Sequence, residues 1–327
     1  MKIFIAGATG VVGQALIPVL VRRGHQVIGT TRSPERVPTI RALGAQPVVM
    51  NGLDRQSVLS AVSGVKPDVI VHQMTAIAAG VKALKYLDRE FAQTNRLRTQ
   101  GTTHLLAAAH ENGTRRIVAQ SFTGWPNARE GGRIKTEKDP LDARPPRNMR
   151  QTLNALRELE DRVLGAKDID GVVLRYGAFY GPGTQIAPGG EVAEAIRHRR
   201  MPIIGSGAGV WSFIHMVDVA QATALAIEGG PSGVYNIVDD QPAEVSVWLP
   251  ELARMLGAKQ PMHVPEWLGR LAIGESGVSM MTRIRGSSNA KAKQMLKWSP
   301  RYTSWREGFR EVFAQRSTSR SLEAAAR

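Results

Sequence analysis

The sequence predicts an α/β fold: a Rossmann-type doubly wound parallel sheet with a smaller, mostly helical C-terminal domain. Three observations carry this. An apolar strand, a glycine turn and a helix follow one another directly at the start of the chain. Strand-like and helix-like runs then alternate to about residue 180. Beyond Gly181-Pro182-Gly183 the alternation gives way to less regular segments rich in Pro, Gly and Met.

KIFIA (2–6) is wholly apolar, as strands covered on both faces of a parallel sheet are. GATGVVG (7–13) follows, then QALIPVLVRRGH (14–25), helical in period until Gly24, and a second strand, QVIGTT (26–31). Each glycine has a mechanical reason. Gly7 permits the tight turn, Gly10 lets backbone approach a pyrophosphate, and Gly13 allows close helix–strand packing. The pyrophosphate would rest on the helix N-terminus, where free N–H groups and the dipole favour an anion. An NAD site carries an acidic residue about 20 residues past the glycines. Here the strand ends Thr30-Thr31-Arg32-Ser33, with no carboxylate and with a guanidinium suited to a 2′-phosphate. The expected cofactor is therefore NADP, with NAD left open and Thr31 and Arg32 at the discriminating position.

Further strands are expected at PVVM (47–50), DVIVHQM (68–74), RRIVAQS (115–121) and GVVLRYG (171–177). A helical stretch, REFAQTNRLRTQGTTHLLAAAHENG (89–113), lies between two of them. FIHMVDVAQATALAIEGG and GVYNIVDD resume the strand–helix rhythm. The expected division assigns 1–180 and 214–240 to a dinucleotide-binding domain, 181–213 and 241–316 to a substrate domain, and 317–327 to a tail. No internal repeat is present.

Composition narrows the function classes. At 327 residues, 43% hydrophobic and 22% charged, the chain is an ordinary globular one with ample interior. No run approaches a membrane span, and the N-terminus has no signal-peptide pattern, so a cytoplasmic protein without membrane association is expected. The absence of cysteine removes disulfides, thiol nucleophiles and thiolate metal sites, and no metal is expected. Lys and Arg (43) exceed Asp and Glu (28), but the basic residues are scattered, which reads as a solvated surface and not as a nucleic-acid interface. A small-molecule substrate is the expected partner, and a homodimer stays open.

Taken in order and spacing, GATGVVG, NGLD (51–54), VHQMT (71–75), AQSFTGW (119–125), LRYGAFYGPG (174–183) and FIHMVDVA (213–220) resemble the extended short-chain dehydrogenase/reductase superfamily, the NAD-dependent epimerase/dehydratase-like group. The resemblance runs from Met1 to about Phe313. It implies that Gly7, Thr9, Gly10, Val11, Val12 and Gly13 wrap the pyrophosphate and that Asn51, Gly52 and Leu53 line the adenine. It sets Gln73, Met74 and Thr75, with Gln120, under the ribose and nicotinamide, and runs Tyr176, Gly177, Ala178 and Phe179 past the carboxamide. Ser121, with Thr123 beside it, falls where the family keeps a serine that bonds a substrate oxygen.

The pattern then fails at one place. Family members carry Tyr-x-x-x-Lys followed by a glutamate four residues beyond the lysine. Aligning Glu160 with that glutamate puts Leu156 at the lysine and Thr152 at the tyrosine. None of the five tyrosines has a lysine four residues later. A threonine hydroxyl is far less acidic than a phenol, whose pKa lies near 10, so it cannot take over the proton transfer. Candidate substitute acids are Lys135, Glu137 and Lys138 in the loop before this helix, Glu137 the sharpest of them, and Tyr176 and Tyr180, which could reach in from the opposite wall; His215, alternating with apolar residues, is expected to be structural. Trp211 stands where nucleotide-sugar enzymes hold a diphosphate with arginine, so the expected substrate is small and fairly apolar, met by Trp125, Tyr180 and Trp211. The expected function is NADP-dependent oxidation–reduction of a carbonyl or alcohol with a non-tyrosine proton donor. The alternatives are an epimerase, dehydratase or isomerase that uses the cofactor transiently, or a non-catalytic NADP-binding sensor.

Overall fold

The computed structural model describes residues 1–77 and 83–314, so the expected tail at 317–327 lies outside the described residues. Seven strands form one parallel sheet: β1 (Lys2–Ala6), β2 (Gln26–Thr31), β3 (Gln46–Val49), β4 (Val69–His72), β5 (Arg116–Phe122), β6 (Asp170–Tyr176) and β7 (Gly233–Ile237). Their order is β7-β6-β5-β4-β1-β2-β3, every pair parallel. The order reverses direction at β1–β4. Such a switch point opens a crevice beyond the C-terminal ends of the strands.

Helices α1 (Val11–Arg22), α2 (Arg55–Ser63), α3 (Thr102–Glu111), α4 (Arg150–Leu164) and α5 (Met216–Glu228) cover the two faces. On one face Ile3, Ile5, Leu16, Ile17, Tyr176 and Val219 share a core, and α1 packs beside α5. On the other, Phe4, Val58, Leu105, Leu159 and Val173 share a second. The central strands are buried on both sides, which is why they read as continuous apolar runs instead of alternating ones.

The stretch expected as one helix over 89–113 is interrupted. Helical turns at Leu87–Glu90 and Ala92–Arg96 lead into a π-helical turn, Leu97–Gly101, before α3. Threonine chemistry accounts for this: Thr99 and Thr102 donate their hydroxyls back to the carbonyls of Asn95 and Arg98 and so compete with the helix ladder. The strand expected at 213–215 exists, but it pairs with Ala178–Tyr180 in a separate two-stranded unit and does not join the main sheet.

A third core holds the C-terminal part. Trp248 and Leu249 of α6 (Val245–Met255), Val278 of α7 (Glu266–Thr282), Phe213, Trp305 and Phe309 pack together there. Residues 290–298 leave this core: Ala292, Leu296 and Trp298 pack back on the α1/α5 side of the sheet.

Three buried groups shift furthest in the neutral range and set the main pH dependence of the fold, with Asp218, whose carboxyl burial raises less, adding to the aspartate side. Burial lowers the pKa of His72 and of His215 from 6.5 to about 4. The unfolded chain thus holds two protons between about pH 4 and 6.5 that the folded chain does not, and stability falls as pH drops through that window. Asp239 acts in the opposite direction. Burial raises its carboxyl pKa from 3.8 to about 8, so stability falls as pH rises from about 4 to 8. Two histidines outweigh one aspartate below pH 6.5 and contribute nothing above it. Stability by urea unfolding is therefore expected to peak at roughly pH 6–7, with changes of a few kcal/mol on either side. Asp239→Asn should flatten the alkaline limb; a limb parallel to that of the natural chain would remove Asp239 as its cause.

Candidate functional site

The crevice begins at Gly7, whose φ of +98° belongs to the left-handed region that side chains avoid. A Cβ here would stand 2.6 Å from the Gln73 carbonyl oxygen, so the turn after β1 lies against the end of β4. Gly13 brings α1 equally close to the strand: its Cβ would be 2.5 Å from the Ala8 carbonyl oxygen. Gly10 differs from both. It is exposed, and the nearest neighbour of a Cβ there would be 3.4 Å away. Gly10 also caps α1 with no side-chain acceptor, and no acidic residue occupies the first turn.

A pyrophosphate fits this cradle. It would meet open space, unpaired N–H groups and a positive helix end. Thr9, Val11 and Val12 flank the same turn. Thr31 is buried and bonds Ser33, whereas Arg32 is exposed and makes no ion pair with the described residues. Asn51 accepts the Leu53 N–H at 3.1 Å, and Gly52 lies under Met74 and Leu97. Gln73 and Met74 are buried, Thr75 and Gln120 half-buried. Gln73 Oε1 is buried without a partner, an acceptor left free at the crevice. Gly177, Ala178 and Phe179 continue from β6, but the Tyr176 side chain turns into the core. Its hydroxyl lies 2.7 Å from Thr223 Oγ1 and accepts from Gln73 Nε2, and burial raises its pKa to about 12.

Helix α4 forms the wall on the reaction side. Glu160 accepts from the Ser121 hydroxyl at 2.6 Å and from Arg175 Nε and Nη2 at 2.8 and 2.5 Å, all within the interior. Ser121 has one proton, and here it goes to Glu160; donation to a reacting oxygen requires the hydroxyl to turn away from that carboxylate. Thr152 is likewise engaged. Asp88 accepts its N–H and its hydroxyl at 2.8 and 2.7 Å, and Asn95 Nδ2 donates to its Oγ1 at 3.1 Å. Leu156 is fully buried. Thr123 lies 2.5 Å from Ser287 Oγ and close to Asn127.

Two expected positions are corrected. Glu137 does not stand at the crevice: its carboxylate accepts the Asn236 N–H at 2.7 Å on β7, the edge strand, because that edge N–H has no strand to bond. Tyr180, expected to meet the substrate, is fully buried. Its ring packs against His215 and Phe309, its hydroxyl has no partner, and burial raises its pKa strongly. His215 is structural, as expected: its Nδ1 accepts the Val217 N–H at the start of α5.

Trp125 and Trp211 approach each other through Met280. Trp125 and Met280 both pack against the cluster of Leu87, Phe91 and Met149, while Trp211 Nε1 donates to the Met280 carbonyl at 2.9 Å. The result is an apolar wall with aromatic members. Above Phe91 lies Arg98, only 2% exposed, which sequence reasoning missed. The available signal was the stripe Phe91, Thr94, Arg98, Gly101, Leu105, a buried helical line containing an arginine. Among the described residues no group of three His, Asp or Glu is placed to hold a metal, and no helix is long and apolar enough to cross a membrane.

The sequence profile of the NAD dependent epimerase/dehydratase family matches residues 3–238, and the chain belongs to that family. A 3-diazoavenalumate denitrifying reductase from Streptomyces sp is 41% identical over 311 residues, covering 94% of this chain and 99% of the relative. A 4-hydroxy-2-methyl-3-oxo-4-farnesyl-3,4-dihydroquinoline-1-oxide ketoreductase from Stigmatella aurantiaca is 30% identical, covering 84% and 80%. In fold, the chain is similar to the UDP-glucose 4-epimerase of Thermus thermophilus solved with NAD, with a TM-score of 0.71 at 22% identity and coverage of 96% and 98%. The chain is an NAD(P)-dependent oxidoreductase.

Ser121→Ala tests what that hydroxyl does. It removes one bond to a buried carboxylate that keeps both bonds to Arg175, so the expected loss of stability is about 1.5–3 kcal/mol by denaturant unfolding, with cofactor affinity unchanged. An unchanged midpoint with a tenfold fall in kcat would assign the hydroxyl to the reacting oxygen instead.

Proposed function

We propose that this chain is an NADP-dependent reductase whose small, largely apolar substrate takes no proton from the protein at the reacting atom, an aryl diazo carboxylate being the favoured class. The observation that carries the reading is on α4. At the places where the resemblance sets a phenol and an ammonium, Thr152 is held by Asp88 and Asn95, and Leu156 is sealed in the core. Neither group can protonate an alkoxide. The reduced nicotinamide, when bound, supplies hydride. An aryl diazonium group that accepts it becomes an aryl hydrogen with loss of dinitrogen, a balance that closes without any further proton. The name of the Streptomyces relative, a denitrifying reductase of a diazo carboxylate, supports the same class. Phe91 and Met149 are buried in an apolar cluster, and the half-buried Trp125 and Met280 packed against it are the members that an aromatic ring would meet.

A second reading, reduction of a carbonyl or alcohol, is favoured by the relative named as a ketoreductase. It needs a proton donor that α4 does not supply.

Two experiments test the proposal. NADP is expected to bind at least about tenfold more tightly than NAD, with Arg32→Ala removing most of the gap, since a charge-assisted contact contributes roughly 1.5–3 kcal/mol. Equal affinities by calorimetry would eliminate the NADP preference. For the chemistry, 4-carboxybenzenediazonium is incubated with enzyme and NADPH deuterated on one face of C4. The expected result is one dinitrogen released per NADPH oxidised, with deuterium on the ring carbon from one face only. Label from both faces at the enzyme-free rate would refute the diazo reading, and turnover of ketones alone would establish the second.

A further inference from the structure

Arg98 is a cation with no ion-pair partner among the described residues. It lies in the π-helical turn Leu97–Gly101, almost fully buried, its guanidinium carbon 5.5 Å from the centroid of the Phe91 ring. Nη1 makes one long contact, 3.4 Å to Asn95 Oδ1, and Nη2 has no acceptor among the described residues. Burial is the cause of its pKa shift, and no carboxylate offsets it: the value falls to about 10, which leaves the group charged at neutral pH. His72, close enough to feel this charge, is itself held neutral there and offers no compensation. Isolating a guanidinium in this way is costly, and buried polar groups in folded chains otherwise find partners.

Its surroundings say where a partner would come from. Asn95, which touches the guanidinium with its oxygen, donates through its nitrogen to Thr152 on α4. Phe91, beneath the guanidinium, belongs to the apolar wall with Trp125 and Met149. Arg98 is thus tied through one amide to the part of α4 that the resemblance gives to chemistry, and through one ring to the surface proposed for the substrate.

We propose that Arg98 is the ligand-binding cation of this site, its free Nη2 donating to an oxygen acceptor that the bound ligand brings. Two sources fit this chemistry: a carboxylate or phenolate of the substrate, or a ribose hydroxyl beside the nicotinamide. The substrate source rests on the reductase reading above; the cofactor source does not. The site would thereby recover a positive group that Leu156 cannot provide, carried on a different helix.

The test compares the natural chain with Arg98→Met, which keeps length and apolar contact, and Arg98→Lys, which keeps charge. Four quantities are measured: Tm, Kd for NADPH, Kd for 2′,5′-ADP, and KM for 4-carboxybenzenediazonium beside uncharged-substituent benzenediazonium. Arg98→Met is expected to hold or raise Tm, because it removes an uncompensated charge, and to lose ligand affinity at least tenfold. Loss confined to NADPH, with 2′,5′-ADP unaffected, assigns the acceptor to the ribose. Loss confined to KM of the carboxylated probe assigns it to the substrate. Arg98→Lys should fall between, and it carries the same comparison should the methionine variant fail to fold. Unchanged affinities and KM, or a Tm lost in Arg98→Met and restored in Arg98→Lys with ligand binding unmoved, would overturn the proposal. If no diazonium is turned over but NADPH binding weakens, the cofactor role stands while the diazo reading fails.

Discussion

The buried ion pair between Glu160 and Arg175 sets the geometry on which the reaction side depends. Ser121 and Arg175 are direct neighbours across β5 and β6, and Glu160 reaches down from α4 to bond both. A helix can slide and rotate over an apolar sheet at small cost; it cannot do so while its carboxylate is held by three donors. Buried pairs of this kind contribute little net stability because desolvation offsets their attraction, but breaking one is expensive, so they specify an arrangement. Here the arrangement is a helical face. Thr152, Leu156 and Glu160 stand four residues apart, and all three are buried. Fixing the last fixes the first two.

That geometry explains how much of the protein could be read in advance. The nucleotide half was legible because its signals are local. KIFIA and QVIGTT are strands from end to end, as expected, and Gly7, Gly10 and Gly13 each act within the turn they belong to. The reaction half was not, because its determinants are pairs distant in sequence. Glu160 served as an alignment marker; nothing in RQTLNALRELE says that its carboxylate meets Arg175. Glu137 looked like a free acid in a loop, and only the three-dimensional course of that loop brings it to the edge N–H of Asn236. Tyr180 read as a residue beyond a strand end, yet the core gathered by Trp248, Phe213 and Phe309 closes over it. Arg98 was hidden by the assumption that arginine on a helix faces water.

Among the described residues, six of the eight unpartnered buried polar atoms fall into two groups, while Asn236 Oδ1 on β7 and Trp298 Nε1 on the α1/α5 side belong to neither. Tyr180 Oη, Asp239 Oδ2, Trp248 Nε1 and Trp305 Nε1 belong to the packing around the C-terminal core. There the cost of an unmet hydrogen bond is carried by large aromatic burial, and the Asp239 carboxyl holds its proton to lessen its own. Gln73 Oε1 lies instead at the end of β4, and Arg98 Nη2 in the π-helical turn whose Leu97 carbonyl meets His72 of the same strand. One is an acceptor next to the glycine turn, the other a charged donor next to α4.

The charge balance of the reaction side completes this argument. A tyrosine–lysine pair places an ammonium beside the reacting atom, which suits an oxygen that becomes negative as hydride arrives. The same ammonium would repel an acceptor that is already positive. At the places where the resemblance sets that pair, this chain has Thr152, bonded to the Asp88 carboxylate and to Asn95, and Leu156, packed in the core, while the cation Arg98 stands on the π-helical turn one amide away. On the diazo reading proposed above, the anionic end of a zwitterionic substrate would meet Arg98, and its cationic end would lie where no ammonium stands. An aldehyde or ketone of the same size would gain only the wall. Electrostatic preorganisation of this kind discriminates most strongly where water is excluded, and the burial of Arg98, Phe91 and Met149 provides that exclusion.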